Sequence, residues 1–137
     1  MKYTDVELKG TDGKTHMLSD YVGKSKYVVI HFWSINSWFS RRAMSANKNI
    51  AKNYDDDKIK VIGVSLLDKE STWQNYIESL LMTWTQLHAG SLESDAARAY
   101  GVTAMPETVI IDSKGRIVVE GLHGKDLELK VAELLGE

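Results

Sequence analysis

The chain has 137 residues, a formal net charge of −2 at neutral pH, 43% hydrophobic and 26% charged residues, and a single proline. That length suits one core that buries most of its apolar surface. The composition excludes a disordered or fibrous chain, and the lack of a basic run argues against a nucleic-acid partner. Cysteine is absent, which removes disulfides, thiolate catalysis and cysteine metal sites together.

Met1 to Asp20 is polar and broken by glycine, so it reads as neither a signal peptide nor a membrane span. Within it, VELKGTDGKTHML alternates around Asp12-Gly13, a dipeptide suited to tight turns, and predicts a short hairpin. Ser19-Asp20 opens a turn. Tyr27 to Trp33, YVVIHFW, is a continuous apolar run, as expected of a strand buried on both faces. The segment from Phe39 to Tyr54 lacks proline and glycine and places Ala43, Ala46, Ile50 and Tyr54 at helical spacing. A solvated turn, YDDDK, leads to a second buried strand, Ile59 to Ser65, which completes a strand-helix-strand unit.

Asp68 to Ser71 starts a helix with Trp73, Tyr76, Ile77 and Leu80 on one face. MTWTQLH reads as extended chain and AGSLES as a loop. Asp95 to Tyr100 is a short helix stopped by Gly101. Thr108 to Asp112 and Arg116 to Glu120 form a hairpin about Ser113-Lys114-Gly115. Asp126 to Leu135 closes the chain as a helix with Leu127, Val131, Leu134 and Leu135 on one side. This order predicts an α/β fold: a mixed central sheet between helical layers, with an N-terminal hairpin, over a single domain 1–137. The same residues equally suit a domain excised from a longer, membrane-tethered or multidomain protein.

Four stretches carry a resemblance: YVVIHFWSINSWFSRRAMS, IKVIGVSLLD, AARAYGVTAMPETVIIDSKGRIV and LHGKDLELKVAELL. In order and spacing they resemble the thioredoxin-like superfamily, in particular the thiol-disulfide oxidoreductases of the bacterial cell envelope, the TlpA, ResA and AhpC/TSA-like group. The resemblance implies a three-layer α/β/α sandwich and an envelope or periplasmic location. It also implies a Cys-x-x-Cys at the start of a helix, facing a cis-proline. Here that motif reads Ser37-Trp38-Phe39-Ser40, and the proline position is Pro106, preceded by Met105.

In the active family the first cysteine is a thiolate favoured by the helix N-terminus, and the second resolves the mixed disulfide. Serine does not serve. The dipole contributes only ~0.3–2 kcal/mol, far short of ionising a hydroxyl, and a hydroxyl has no disulfide state to cycle through. Ser37 and Ser40 are therefore expected to be redox-inactive. The surroundings have departed as well. Many members read Trp-Ala-Ser-Trp where this chain has Trp33-Ser34-Ile35-Asn36, a proline where it has Ser45, and a buried acid where it has His31. That joint drift favours natural loss over replacement of two cysteines alone.

Ser37 suits a helix N-cap. A serine hydrolase is disfavoured, because no Gly-x-Ser-x-Gly turn surrounds it. His31 reads as a satisfied core histidine, His16, His88 and His123 show no metal-ligand spacing, and Met44 and Met105 read as packing near the loop. No metal or cofactor is implied. Trp38 and Phe39, between the former cysteines, are expected beside Met105 and Pro106 as a groove for a peptide or protein, to which Arg41 and Arg42 add at most an anionic preference. The expected function is a monomeric, redox-inactive binding module. The alternative is a Cys-to-Ser form of an active oxidoreductase that reduces or exchanges disulfides in envelope proteins.

Overall fold

A computed structural model describes residues 1–137. Its strands are β1 (Glu7–Gly10), β2 (Thr15–Met17), β3 (Tyr27–Trp33), β4 (Ile59–Leu66), β5 (Thr85–Gly90), β6 (Glu107–Asp112) and β7 (Ile117–Glu120). Its helices are α1 (Trp38–Asn53), α2 (Glu70–Ser79), α3 (Asp95–Ala99) and α4 (Gly124–Leu134). The strands form one seven-stranded mixed sheet in the order β2-β1-β5-β4-β3-β6-β7. β3, β4 and β5 run parallel in the middle, and the outer pairings are antiparallel. The N-terminal hairpin pairs Leu8 with His16 and joins the sheet through β5.

Strand periodicity sorts the core into two faces. Val28, Ile30 and Phe32 of β3 pack with Ile62, Val64 and Leu66 of β4 against Ala96 and Ala97 of α3. The alternate residues face the longer helices. Val29 and Val61 meet Ile50 of α1 and Leu127 and Val131 of α4, while Trp33 meets Trp73 and Ile77 of α2. The sheet thus lies between two helical layers, as the sequence predicts. At about 25 cal/mol per Å² of apolar area, the fully buried Trp33, Trp73 and Phe32 are among the largest single contributions to that packing.

Several expectations need correction. Ala89-Gly90, read as loop, continue the strand after Thr85-Gln86-Leu87-His88, and β5 inserts between β1 and β4. Leu80 is not on the buried face of α2; it is the C-cap residue and is exposed, because the helix ends at Ser79. Leu135 is the C-cap of α4 rather than part of its body. Met44 packs with the Trp33–Trp73 cluster, which Ile35 of the β3–α1 loop also joins.

Gly63 of β4 has a packing role. A Cβ there would overlap Oε1 of Gln86, whose buried amide lies over the strand from β5 and has no hydrogen-bond partner. Gly63→Ala is expected to cost ~1–3 kcal/mol by overpacking, measured by urea unfolding. Adding Gln86→Ala should recover much of that loss; purely additive costs would contradict the contact.

Candidate functional site

β3 ends at buried Trp33, and the chain crosses to α1 through buried Ser34 and then Ile35, Asn36 and Ser37. The Ser37 Oγ accepts from the Ser40 N–H at 3.1 Å and caps α1. The same hydroxyl donates to the Met105 carbonyl at 3.3 Å, tying the helix start to the loop before Pro106. The Met105–Pro106 peptide is cis. Ser40 is fully buried, and its Oγ accepts from the Ser34 N–H at 3.3 Å. The structure therefore brings Ser37, Ser40, Met105 and Pro106 together, and gives both hydroxyls structural partners.

The loop is anchored from β4. Asp68 is buried, and its carboxylate accepts from the Ile35 N–H at 3.2 Å, the Ser34 Oγ at 3.3 Å and the Ser65 Oγ at 2.7 Å. Its carbonyl in turn accepts from His88 Nε2–H at 2.6 Å. Sequence reading places Asp68 only at a helix start, and no local signal ties it to Ile35.

A groove of about 620 Å³ opens beside Pro106, lined by Phe39, Arg42, Ala43, Ser45, Met105 and His123, and closed by Gly124 at the start of α4. Phe39 is 66% exposed on its wall. Trp38, although 54% exposed, does not line the groove. It meets Phe39 edge-on at 5.0 Å between ring centroids and carries the Arg42 guanidinium 5.1 Å above its ring. Arg41 turns the other way and donates to the Ile35 carbonyl. His123, scattered in sequence, reaches the groove because α4 begins beside the Pro106 loop.

Behind the groove, Thr108, His31, Gly63 and Gln86 are register neighbours across four strands. His31 is fully buried, but it is not the satisfied core histidine expected: neither ring nitrogen has a hydrogen-bond partner. Its imidazole is pushed down to about 3, first by burial and second by His123. His123 lies 3.0 Å through Nδ1 from the Thr108 Oγ1; burial lowers its pKa, while the Glu107 carboxylate opposes the shift. No cluster of three or more His, Asp or Glu side chains is placed to hold a metal ion.

A family model described as the AhpC/TSA family matches residues 1–120. Among curated proteins, the chain is 24% identical over 124 residues to the thiol-disulfide oxidoreductase ResA of Geobacillus thermodenitrificans, spanning 89% of this chain and 69% of that protein. It is 28% identical to the thioredoxin-like protein YneN of Bacillus subtilis, over 87% of this chain and 67% of that one. Among solved structures, it superposes with a TM-score of 0.87 and 25% identity on a C-terminal domain described as that of a thiol-disulfide oxidoreductase from Bacteroides thetaiotaomicron, covering 98% of this chain and 94% of that one. The exposed lipoprotein thioredoxin of Streptococcus pneumoniae gives a TM-score of 0.73 and 28% identity, covering 95% and 99%. The fold is thioredoxin-like.

Two outcomes test this geometry. Asp68→Ala leaves three donors without an acceptor and should cost ~2–4 kcal/mol, against about 1 kcal/mol for Ser37→Ala, by urea unfolding; the reverse ranking would contradict the anchor. The second concerns pH. The unfolded His31 takes up a proton near pH 6.5, and the folded one only near 3. Its contribution is therefore complete above about pH 6.5 and lost as pH falls toward 3, at up to roughly 1.4 kcal/mol per pH unit. Replacing His31→Leu should flatten the acid limb of stability against pH; parallel curves would show that the buried imidazole is not responsible.

Proposed function

This chain belongs to the AhpC/TSA family, and on that premise we propose that it is a redox-inactive, thioredoxin-fold domain of the thiol-disulfide oxidoreductase type, kept as a module that binds a peptide or protein. The observation that carries the reading is the use of the two serines. Ser37 spends its hydroxyl on the Ser40 N–H and the Met105 carbonyl, and Ser40 is buried on the Ser34 N–H, so both former sulfur positions brace the loop. Disulfide exchange needs a thiolate that attacks and a sulfur that leaves, and a hydroxyl provides neither.

The open surface next to these serines supports binding. Phe39, Met105 and Pro106 present an apolar wall, and an exposed aromatic beside a concave rim is a common anchor for a partner chain. The ligand is held in this groove, and the module acts as a monomer. The pneumococcal relative is named an exposed lipoprotein, which supports a place outside the cytoplasm. No helix of the chain is long and apolar enough to cross a membrane.

A second reading is favoured by the position of Ser37, at the N-terminus of a sixteen-residue helix and facing Met105, where a cysteine would gain thiolate character. In that reading the chain is the Cys-to-Ser form of an active oxidoreductase. A Ser37→Cys/Ser40→Cys variant separates the two in an insulin-disulfide reduction assay run beside the Geobacillus relative. The binding-module reading expects no turnover by the unaltered chain. For the double variant it expects a rate lower than the relative's by about tenfold or more, equivalent to at least ~1.4 kcal/mol of missing transition-state stabilisation. A rate equal to the relative's would establish the second reading instead.

A further inference from the structure

The groove beside Pro106 is unequal in charge along its length. Its apolar part is Phe39, Met105 and Pro106, and its other part gathers Arg42, Ser45, His123 and Gly124. Arg42 is held at the rim by its position over the Trp38 ring, which is itself fixed edge-on against Phe39. A guanidinium stacked in this way keeps its planar fork of donors free for a carboxylate.

The start of α4 adds to the same potential. No side chain caps this eleven-residue helix: His123 is its N-cap residue and makes no cap hydrogen bond, so the positive end of the helix faces the groove at Gly124. No Asp or Glu lines the groove. The nearest acidic group that acts on His123 is Glu107 of β6, whose Oε1 accepts from the Thr108 N–H. In the first turn of α4, Lys125 and Asp126 offset one another, and His31 behind the groove is buried.

We propose that the groove takes an extended peptide segment of a partner protein in which an acidic side chain lies next to an apolar one. The carboxylate sits between the Arg42 guanidinium and the first turn of α4, and the apolar side chain packs on Phe39, Met105 and Pro106. This rests on the peptide-binding reading above and goes further, because it assigns the ligand's chemistry. Trp38 then acts indirectly, by positioning Arg42 rather than by touching the ligand.

The experiment uses two pools of short fluorescein-labelled peptides with blocked ends, identical except that a central Glu in one is Gln in the other, with Leu fixed nearby. Fluorescence anisotropy at low and high salt measures binding to the full chain, to Arg42→Gln and to Phe39→Ala. The Glu pool should bind about fivefold more tightly at low salt, the size expected of one partly exposed charge pair. That preference should shrink at high salt and be largely lost in Arg42→Gln, read as the ratio of the two pools' affinities on that variant. Equal binding of both pools, weakened alike by Phe39→Ala, overturns the acidic preference and leaves the groove reading standing. Binding of neither pool, or binding that Phe39→Ala does not alter, overturns both. Self-association in sedimentation that Phe39→Ala abolishes would make a second copy of the chain the occupant, and overturns the proposal.

Discussion

The Asp68 carboxylate is the constraint on which the site's shape depends. It sits just past the end of β4 and accepts from Ser34, Ile35 and Ser65, so one buried group joins the central strand to the loop between β3 and α1. A buried carboxylate is costly unless its oxygens are hydrogen-bonded, and three donors converge on this one. The backbone is bent to deliver it. Leu67, immediately before, lies in the left-handed region at φ 65, a conformation that costs a non-glycine residue about 1 kcal/mol or more. The bend is tied to β5 by the Leu67 N–H on the Gly90 carbonyl and by His88 on the Asp68 carbonyl.

With the loop fixed from that side, the serines fix it from the other. A pair of cysteines at these positions would gain chemistry from the helix N-terminus; hydroxyls gain geometry from it. The cap on α1, the bond to Met105 and the buried bond to Ser34 hold together the end of β3, the start of α1 and the loop before Pro106, the last two of which carry groove residues. What stays exposed is aromatic and cationic: Trp38 and Phe39, edge-on to one another, with Arg42 over the Trp38 ring, on the first two turns of α1. On the proposed reading, the place of the family's reaction centre serves as the frame of a binding surface.

Much of this frame is legible in the sequence. The apolar runs of β3 and β4 stand out because both faces of the central parallel strands are buried, and α1 shows clear helical spacing with no proline or glycine. Ser37 as a cap follows from its place before a helix. β5 is legible as extended chain through His88, but its end at Gly90 and its place in the sheet are not, because they are defined by pairing with β1 and β4, which are remote in sequence. The Asp68 anchor, the unpartnered His31 and the arrival of His123 at the groove are tertiary facts. Each joins residues whose spacing carries no period. Trp38 shows the same limit in reverse: sequence places it between Ser37 and Ser40, beside the expected groove, whereas it packs against Phe39 and Arg42 and does not line the groove.

The claim that side-chain oxygens brace the loop has a direct test, because three backbone amides report on it: Ile35 bonded to Asp68, Ser34 to Ser40, and Ser40 to Ser37. Residue-resolved amide hydrogen exchange under native conditions measures all three. If the loop is braced as described, these amides exchange nearly as slowly as those of β3 and open only with the fold as a whole. Exchange as fast as in an exposed turn, with β3 still protected, would contradict it.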